Sequence, residues 1–140
     1  MGVADFPTKA AVIVRDDLAA WQRLNVTGFL VSGLVGAAEP EAIGSTYEDA
    51  DGATYLPLLV QPLLVFEASP AQLKRSHSRA TGRGVALAIY TAEMFTTGTD
   101  EENRAAVRAV RTDDLDLVGL GLRAGHRDAD AVLRGLGRHP

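Results

Sequence analysis

The stretch AAVIVRDDLAAWQRLNVTGFLVSG, residues 10–33, predicts a strand followed directly by a helix. Residues 10–14 are a short apolar run rich in β-branched side chains, which is typical of a strand covered on both faces. Apolar residues then recur at helical spacing from Trp21 onward. The glycines of this segment lower its intrinsic helical stability, so we expect a helix that depends on close packing and ends near Gly36.

Three residues of this stretch have expected structural roles. Asp16 or Asp17 is expected to cap the helix, because a carboxylate accepts hydrogen bonds from the free amides of the first turn. Trp21 is expected in the core, in a stripe with Leu24 and Gly28, since large aromatic side chains are usually buried, and the alternative for its ring is a platform for a ligand.

The rest of the chain continues the alternation of strands and helices. Pro62 has no amide hydrogen, so the second strand lies at an edge or begins after it. A small hairpin is expected at residues 46–56 across an Ala-Asp-Gly turn. Four strands alternating with four helices predict an α/β fold with helices on the faces of the sheet. The later strands are predicted at residues 58–68, 85–90 and 115–124. The later helices are predicted to begin at Ser69-Pro70, at Thr99 and at residue 128. Thr99 and Glu102 form a capping-box pattern.

Composition and charge restrict the classes of function. The length of 140 residues favours one domain over residues 1–140. The 14 basic and 18 acidic residues give a formal charge of −4, so nucleic-acid binding is not expected. The basic cluster at Lys74, Arg75, His77, Arg79 and Arg83 is interpreted as a solvated helix face.

Several kinds of site and location are not expected. The absence of cysteine excludes disulfides and thiolate chemistry. No apolar run approaches the roughly 20 residues of a membrane span, and the N-terminal sequence lacks the pattern of a signal peptide. We therefore expect a cytoplasmic protein. The dispersed histidines and the incomplete calcium-loop pattern at Asp49, Asp51 and Gly52 give no reason to expect a metal, and nothing in the sequence indicates a cofactor.

A ligand site is predicted where polar residues follow two of the strands. Ligands of open α/β sheets gather beyond the carboxyl ends of parallel strands. If the loops after the first and third strands share one end of the sheet, Asp17 is positioned to take a proton, with Thr96 and Thr97 as hydrogen-bond donors. Structural roles in capping and turns are the alternative for each residue alone. The expected ligand-binding residues are Arg15, Asn25, Tyr90, Thr91 and Phe95.

Three segments resemble a bacterial family known as domain of unknown function 2000 (DUF2000). They are VRDDLAAWQRLNVTGFLVSG (14–33), YEDADGATYLP (47–57) and IYTAEMFTTGTDEENRAAV (89–107). The resemblance extends over nearly the whole chain, and it implies no particular activity.

That family in turn is similar to the peptidyl-tRNA hydrolase II fold, whose first strand ends in Val-Arg with Asp-Leu nearby, as Val14, Arg15, Asp17 and Leu18 do here. This similarity implies a three-layer sandwich around a four-stranded mixed sheet. The catalytic lysine of those hydrolases has no counterpart in residues 19–23, so the similarity implies the fold without hydrolysis of peptidyl-tRNA.

Three hypotheses follow from the sequence. One is an enzyme that hydrolyses a small ester or amide with Asp17 and the two threonines. Another is a domain that binds a small polar ligand in the same crevice without chemistry. The third is a structural module that forms a homodimer through the apolar helix and the hairpin at residues 46–56.

Overall fold

A computed structural model describes residues 2–140, in which strands and α-helices alternate along the chain. The strands are β1 (Thr8–Arg15), β2 (Tyr47–Glu48), β3 (Thr54–Tyr55), β4 (Leu63–Ala68), β5 (Leu87–Thr91), β6 (Leu117–Gly125) and β7 (Gly137–Arg138). The helices are α1 (Ala20–Ala37), α2 (Pro70–Gly82), α3 (Asp100–Arg108) and α4 (His126–Leu133).

The main sheet has five strands in the order β5-β6-β1-β4-β7. Strand β1 lies at its centre, parallel to β4 and antiparallel to β6. Since β5 is also antiparallel to β6, the strands β1, β4 and β5 run in the same direction. Their carboxyl ends therefore meet at one edge of the sheet, and the loops after β1 and β5 open on the same side.

Helices cover both faces of this sheet, which confirms the predicted three-layer α/β architecture. Alternate residues of β1 point to opposite faces. Ile13 packs into the core beneath α2 and α4, whereas Val12 and Val14 pack into the core beneath α1. Each of these three side chains is almost fully buried, so β1 is covered on both sides as its sequence predicts.

Two glycines of β6 allow α1 to approach the sheet closely. Gly119 and Gly121 pair with Val14 and Val12 on the face that α1 covers. A Cβ at Gly119 would lie 2.5 Å from Val26 Cγ1 and 2.9 Å from Leu30 Cδ1. Because these two glycines have no side chain, the buried face of α1 packs directly on the backbone of β6. We call this pair of glycines the glycine seat.

Three expectations about these elements are wrong. The main sheet has five strands and not four, because β7 adds an edge strand of two residues beside β4. Neither Asp16 nor Asp17 caps α1, which begins only at Ala20 and whose Ala19 amide donates to Gln22 Oε1 at 2.9 Å. Trp21 is 61% exposed, because α1 turns its other face to the sheet.

Other boundaries follow the local signals in the sequence. Strand β4 begins directly after Pro62. Ser69 caps α2, with its Oγ accepting from the Gln72 amide at 3.2 Å and Gln72 Oε1 accepting from the Ser69 amide at 2.9 Å. Thr99 likewise caps α3, since its hydroxyl accepts from the Glu102 amide at 3.1 Å.

The predicted hairpin is present and forms the tip of an excursion, residues 43–60, that we call the arm. Strands β2 and β3 pair antiparallel, and Asp49 orders their turn by accepting from the amides of Asp51 and Ala53 and from the Tyr55 hydroxyl. The hydrogen bond from Tyr55 and those from the amides hold the pKa of Asp49 below its ordinary value. The turn is therefore well defined.

The base of the arm is fixed to the sheet by Arg123. Its guanidinium donates to both carboxylate oxygens of Glu39, at 2.7 and 2.9 Å, and to Gln61 Oε1 at 2.6 Å. The Val60 amide also donates to the Ala42 carbonyl at 2.9 Å. The two chain segments that enter and leave the arm are thus joined through one side chain of β6.

Among residues 2–140, no helix has the length and apolar character that a membrane span requires.

Candidate functional site

Arg15, the last residue of β1, links the end of that strand to the start of β6. Its Nη1 donates to Asp116 Oδ1 at 2.7 Å and to the Leu117 carbonyl at 3.2 Å, and its Nε donates to Asp17 Oδ1 at 2.7 Å. Burial by itself would lower the pKa of Arg15, but the two carboxylates outweigh that effect and the pKa is raised. Arg15 and Asp17 therefore form a structural ion-pair network.

A cavity of about 590 Å³ lies between α1, β5 and the segment that leads from β5 into α3. The helical turn Ala92–Phe95 follows β5 at the shared carboxyl edge of the sheet and forms part of the wall. The volume falls within the range of about 300–1,000 Å³ that is usual for small-molecule sites. Its lining includes the aromatic residues Trp21, Phe29, Tyr90 and Phe95 and the polar residues Asn25, Thr97, Asp100 and Asn103.

Four aromatic rings form a continuous wall of this cavity. Trp21 meets Phe95 edge to face, with ring centroids 5.8 Å apart. Phe95 lies 5.2 Å from Tyr90, which lies 5.9 Å from Phe29. Such pairs stabilise one another, so the wall is ordered and offers flat apolar surface to a planar molecule.

Apart from Asp100, whose carboxylate is paired with Arg104, the polar groups of the cavity are neutral and have unused hydrogen-bonding capacity. Asn25 Nδ2 donates to Tyr90 Oη at 3.3 Å, which leaves the Asn25 carbonyl oxygen as an acceptor and the Tyr90 hydroxyl hydrogen as a donor. The Thr97 hydroxyl bonds Asn103 Oδ1, so the Asn103 amide nitrogen can donate to a ligand. An acceptor and a donor therefore stand side by side at Asn25 and Tyr90.

The charge around the cavity does not suit an anion. Within the described part of the chain, its lining includes no Lys, Arg or His, and the carboxylate of Asp100 is paired with Arg104. The first turn of α3 also carries Glu101 and Glu102, which occupy the positive end of the helix dipole. Residues 2–140 contain no cluster of three or more His, Asp or Glu side chains placed to hold a metal ion.

The structure brings some of the sequence-predicted site residues together and separates others. Asn25, Tyr90, Phe95 and Thr97 line the cavity. The remaining predicted residues, Arg15, Asp17, Thr91 and Thr96, are not part of its lining.

The two threonines after β5 make turn hydrogen bonds. The Thr96 hydroxyl donates to the Glu93 carbonyl at 2.9 Å, and that of Thr97 bonds the Met94 carbonyl at 3.1 Å. Asp17 lies in the Arg15 network outside the cavity, so the three residues proposed for catalysis do not share one site.

Sequence reasoning missed several residues of the cavity. Trp21 was assigned to the core, and Phe29 and Asn103 were given no binding role. The signal available for Phe29 was its place among the apolar residues that recur from Trp21 onward. Asn103 lies about one turn from the start of α3, and nothing in its neighbourhood marks it as a ligand residue.

A second, smaller cleft of about 440 Å³ lies on the other side of α1, lined mainly by apolar residues with Arg23 and His139. The Arg23 guanidinium already donates to the carbonyls of Leu18 and Asp16, at 3.0 and 2.6 Å, and contacts His139 Nε2 at 2.9 Å. Its donors are therefore occupied in holding the loop after β1.

A substitution at Thr91 tests how its buried hydroxyl affects the stability of the fold. Thr91 is 2% exposed, and its hydroxyl has no hydrogen-bond partner among residues 2–140. An unpaired buried hydroxyl costs free energy, so Thr91→Val is expected to raise the free energy of unfolding by about 1 kcal/mol. Chemical denaturation measures the change, and a loss of stability would show that the hydroxyl has a partner in solution.

Comparisons with known proteins agree with this fold. The model of a family described as "Protein of unknown function (DUF2000)" matches residues 8–140. The solved structure of a protein of unknown function, Atu0240 from Agrobacterium tumefaciens strain C58, is 41% identical and has a TM-score of 0.93, with 96% of this chain and 99% of that chain covered. No curated protein matches the chain.

Proposed function

This chain belongs to the DUF2000 family of proteins of unknown function, and we propose that it binds a planar, uncharged ligand in the cavity beside α1. The ligand carries a cyclic amide, that is, a ring C=O next to a ring N–H. The observation that carries this proposal is the adjacent acceptor and donor of Asn25 and Tyr90 at an aromatic wall.

The aromatic wall supports the planar shape of the ligand. Aromatic side chains stack on flat rings in an offset or tilted arrangement, and the four rings here stand at angles of 45–71° to their neighbours. A ring inserted among them contacts apolar surface on several sides. The size of the cavity suits one or two fused rings with small substituents.

The hydrogen-bonding groups support the amide edge. A ring N–H can donate to the Asn25 carbonyl oxygen while the neighbouring ring carbonyl accepts from the Tyr90 hydroxyl. A ligand without that edge leaves two polar groups unpaired in a largely apolar site, which weakens binding. The absence of a cation from the described lining supports an uncharged ligand over a phosphate or carboxylate.

The arrangement supports binding more than hydrolysis. A nucleophilic hydroxyl needs a base within hydrogen-bond distance, and the threonine hydroxyls here are bonded to main-chain carbonyls or to an amide oxygen. The carboxylate of Asp17 is bonded to Arg15. The similarity to the peptidyl-tRNA hydrolase II fold stays a prediction and contributes no catalytic group to this cavity.

Hypoxanthine and purine provide a matched pair of probes, because they share the fused ring and differ in the ring carbonyl of the cyclic amide. Hypoxanthine is expected to bind more tightly in isothermal titration calorimetry. Tyr90→Phe removes only the hydroxyl and is expected to weaken hypoxanthine binding by about tenfold, with little effect on purine.

Tyr47→Phe is the control, since it removes the same atom from an exposed tyrosine of the arm. Phe95→Ala opens the aromatic wall and is expected to weaken both probes. Equal binding of hypoxanthine and purine, or binding of neither at millimolar concentration, would contradict the proposal.

A further inference from the structure

We propose that two copies of this chain form a symmetric dimer in which the arm of each copy packs on the outer face of α1 of the other. This inference does not require the ligand proposed above, but the cavity adjoins the outer face of α1, since Asn25, Phe29 and Ser32 line both. It rests on two exposed apolar surfaces that one chain carries in different places.

The arm is the first of these surfaces. Its large apolar side chains are exposed, most of all Leu56 at 84% and Leu58 at 62%, with Tyr47 and Tyr55 each more than half exposed. Isolated exposed apolar residues are normal, but a cluster of this kind on one excursion is typical of an interaction site. Because its turn and base are fixed by hydrogen bonds, the arm loses little conformational entropy when it binds.

The outer face of α1 is the second surface. Leu24 is 76% exposed and Phe29 is 59% exposed. Gly28 and Ser32 lie between them and form the floor of a shallow depression of about 470 Å³. A depression lined by small residues and flanked by large ones can accept side chains such as Leu56 and Leu58.

The charges favour pairing of the arm with α1 over pairing of two arms. Residues 43–60 contain three acidic residues, Glu48, Asp49 and Asp51, and no basic residue. Two arms placed together would bring like charges close. Helix α1 contains no acidic residue, so the arm meets no like charge there.

The exposed area matches what a dimer needs. An aromatic side chain presents about 150–250 Å² when fully exposed. The large apolar side chains named above are 53–84% exposed, so together they offer several hundred Å² per copy. Standard stable interfaces bury about 800 Å² per partner. Two reciprocal contacts related by a twofold axis also close the assembly, so it ends at two copies.

Sedimentation velocity of the full chain tests the dimer. The wild type is expected to be dimeric at about 100 µM, as a Kd near 1 µM would give. The double variant Leu56→Ser/Leu58→Ser and the variant Leu24→Ser are each expected to shift the chain to the monomer. These positions are exposed, so circular dichroism should show an unchanged fold. The matched control Leu56→Met/Leu58→Met keeps the apolar area and is expected to remain dimeric.

A mixing experiment identifies which surfaces meet. When the arm variant and the Leu24 variant are combined, the mixed pair keeps one intact contact between an arm and a helix. It is expected to dimerise more strongly than either variant alone. A monomeric wild type at 100 µM, a dimer that survives the serine variants, or a mixture that stays as monomeric as its components would overturn the proposal.

Discussion

Gly119→Ala is expected to lower the free energy of unfolding by about 3 kcal/mol, the upper part of the usual range for an overpacked core. The added methyl group would lie 2.5 Å from Val26 Cγ1, and the Ile13 carbonyl oxygen, 3.3 Å away, limits retreat toward the strand. Helix α1 must therefore move away from the sheet or Val26 must leave its rotamer. Urea denaturation, followed by circular dichroism, measures the loss.

Two further variants separate crowding from a general effect of replacing glycine. Gly36→Ala places a methyl group in the last turn of α1, where no described atom lies within 4 Å apart from its chain neighbours and the backbone of its own helix, and is expected to stabilise the protein slightly. Leu30→Ala removes one of the crowded side chains and is expected to cost less in the Gly119→Ala background than alone. If Gly119→Ala leaves the stability unchanged, α1 does not sit as closely on β6 as described.

Arg123→Met is expected to lower the free energy of unfolding by about 2 kcal/mol and to loosen the arm. The cost comes mainly from Gln61, whose side chain is buried and loses a charge-assisted hydrogen bond of 2.6 Å. Methionine preserves much of the packing volume of the arginine stem. Denaturation measures the stability, and faster hydrogen exchange of the Gly44 and Val60 amides measures the loosening, because both amides hydrogen-bond across the base of the arm.

The ion pair between Arg123 and Glu39 can be tested by varying the pH. The hydrogen bond from Arg123 lowers the pKa of Glu39 from 4.5 to about 2. A carboxylate whose pKa is lowered in the folded state stabilises the fold above its unfolded pKa and loses that effect as the pH falls through its folded pKa. The Tm advantage of the wild type over Glu39→Gln should therefore be complete above about pH 4.5 and vanish toward pH 2. A constant difference over that interval would contradict the ion pair.

The sequence predicted the elements whose signals are local. The apolar run at residues 10–14 indicated a central strand, and Ser69 with Pro70 marked the start of α2. Strand β7 has no such signal, because it is two residues long and exists through its pairing with β4. Arg138 contributes by lying over the Phe66 ring, 5.4 Å from its centroid.

The prediction that Trp21 lies in the core was wrong because tertiary packing decides which face of α1 is buried. Helix α1 carries apolar residues on more than one face, so periodicity alone does not say which face is buried. The glycine seat of β6 determines which face of α1 is buried. Val26 and Leu30 pack on this seat, and Trp21 points away from it and is exposed. That seat lies about 90 residues further along the chain, and no window around α1 contains it.

The candidate site was only partly predictable for a similar reason. The rule for the carboxyl ends of parallel strands predicted a site at the loops after β1 and β5, and these loops do open on one edge. It did not distinguish residues that face the cavity from Arg15 and Asp17, which bond to each other. The pairing of Asn25 with Tyr90 joins residues 65 positions apart and required the structure.

The position of β1 has a consequence for biosynthesis. Its antiparallel neighbour β6 lies more than 100 residues further along the chain, so a nascent chain carries an apolar strand with one open edge until β6 has been made. Contacts this distant in sequence slow folding, and unpaired strand edges favour aggregation. The sheet can therefore close on this edge of β1 only when residues 117–125 become available.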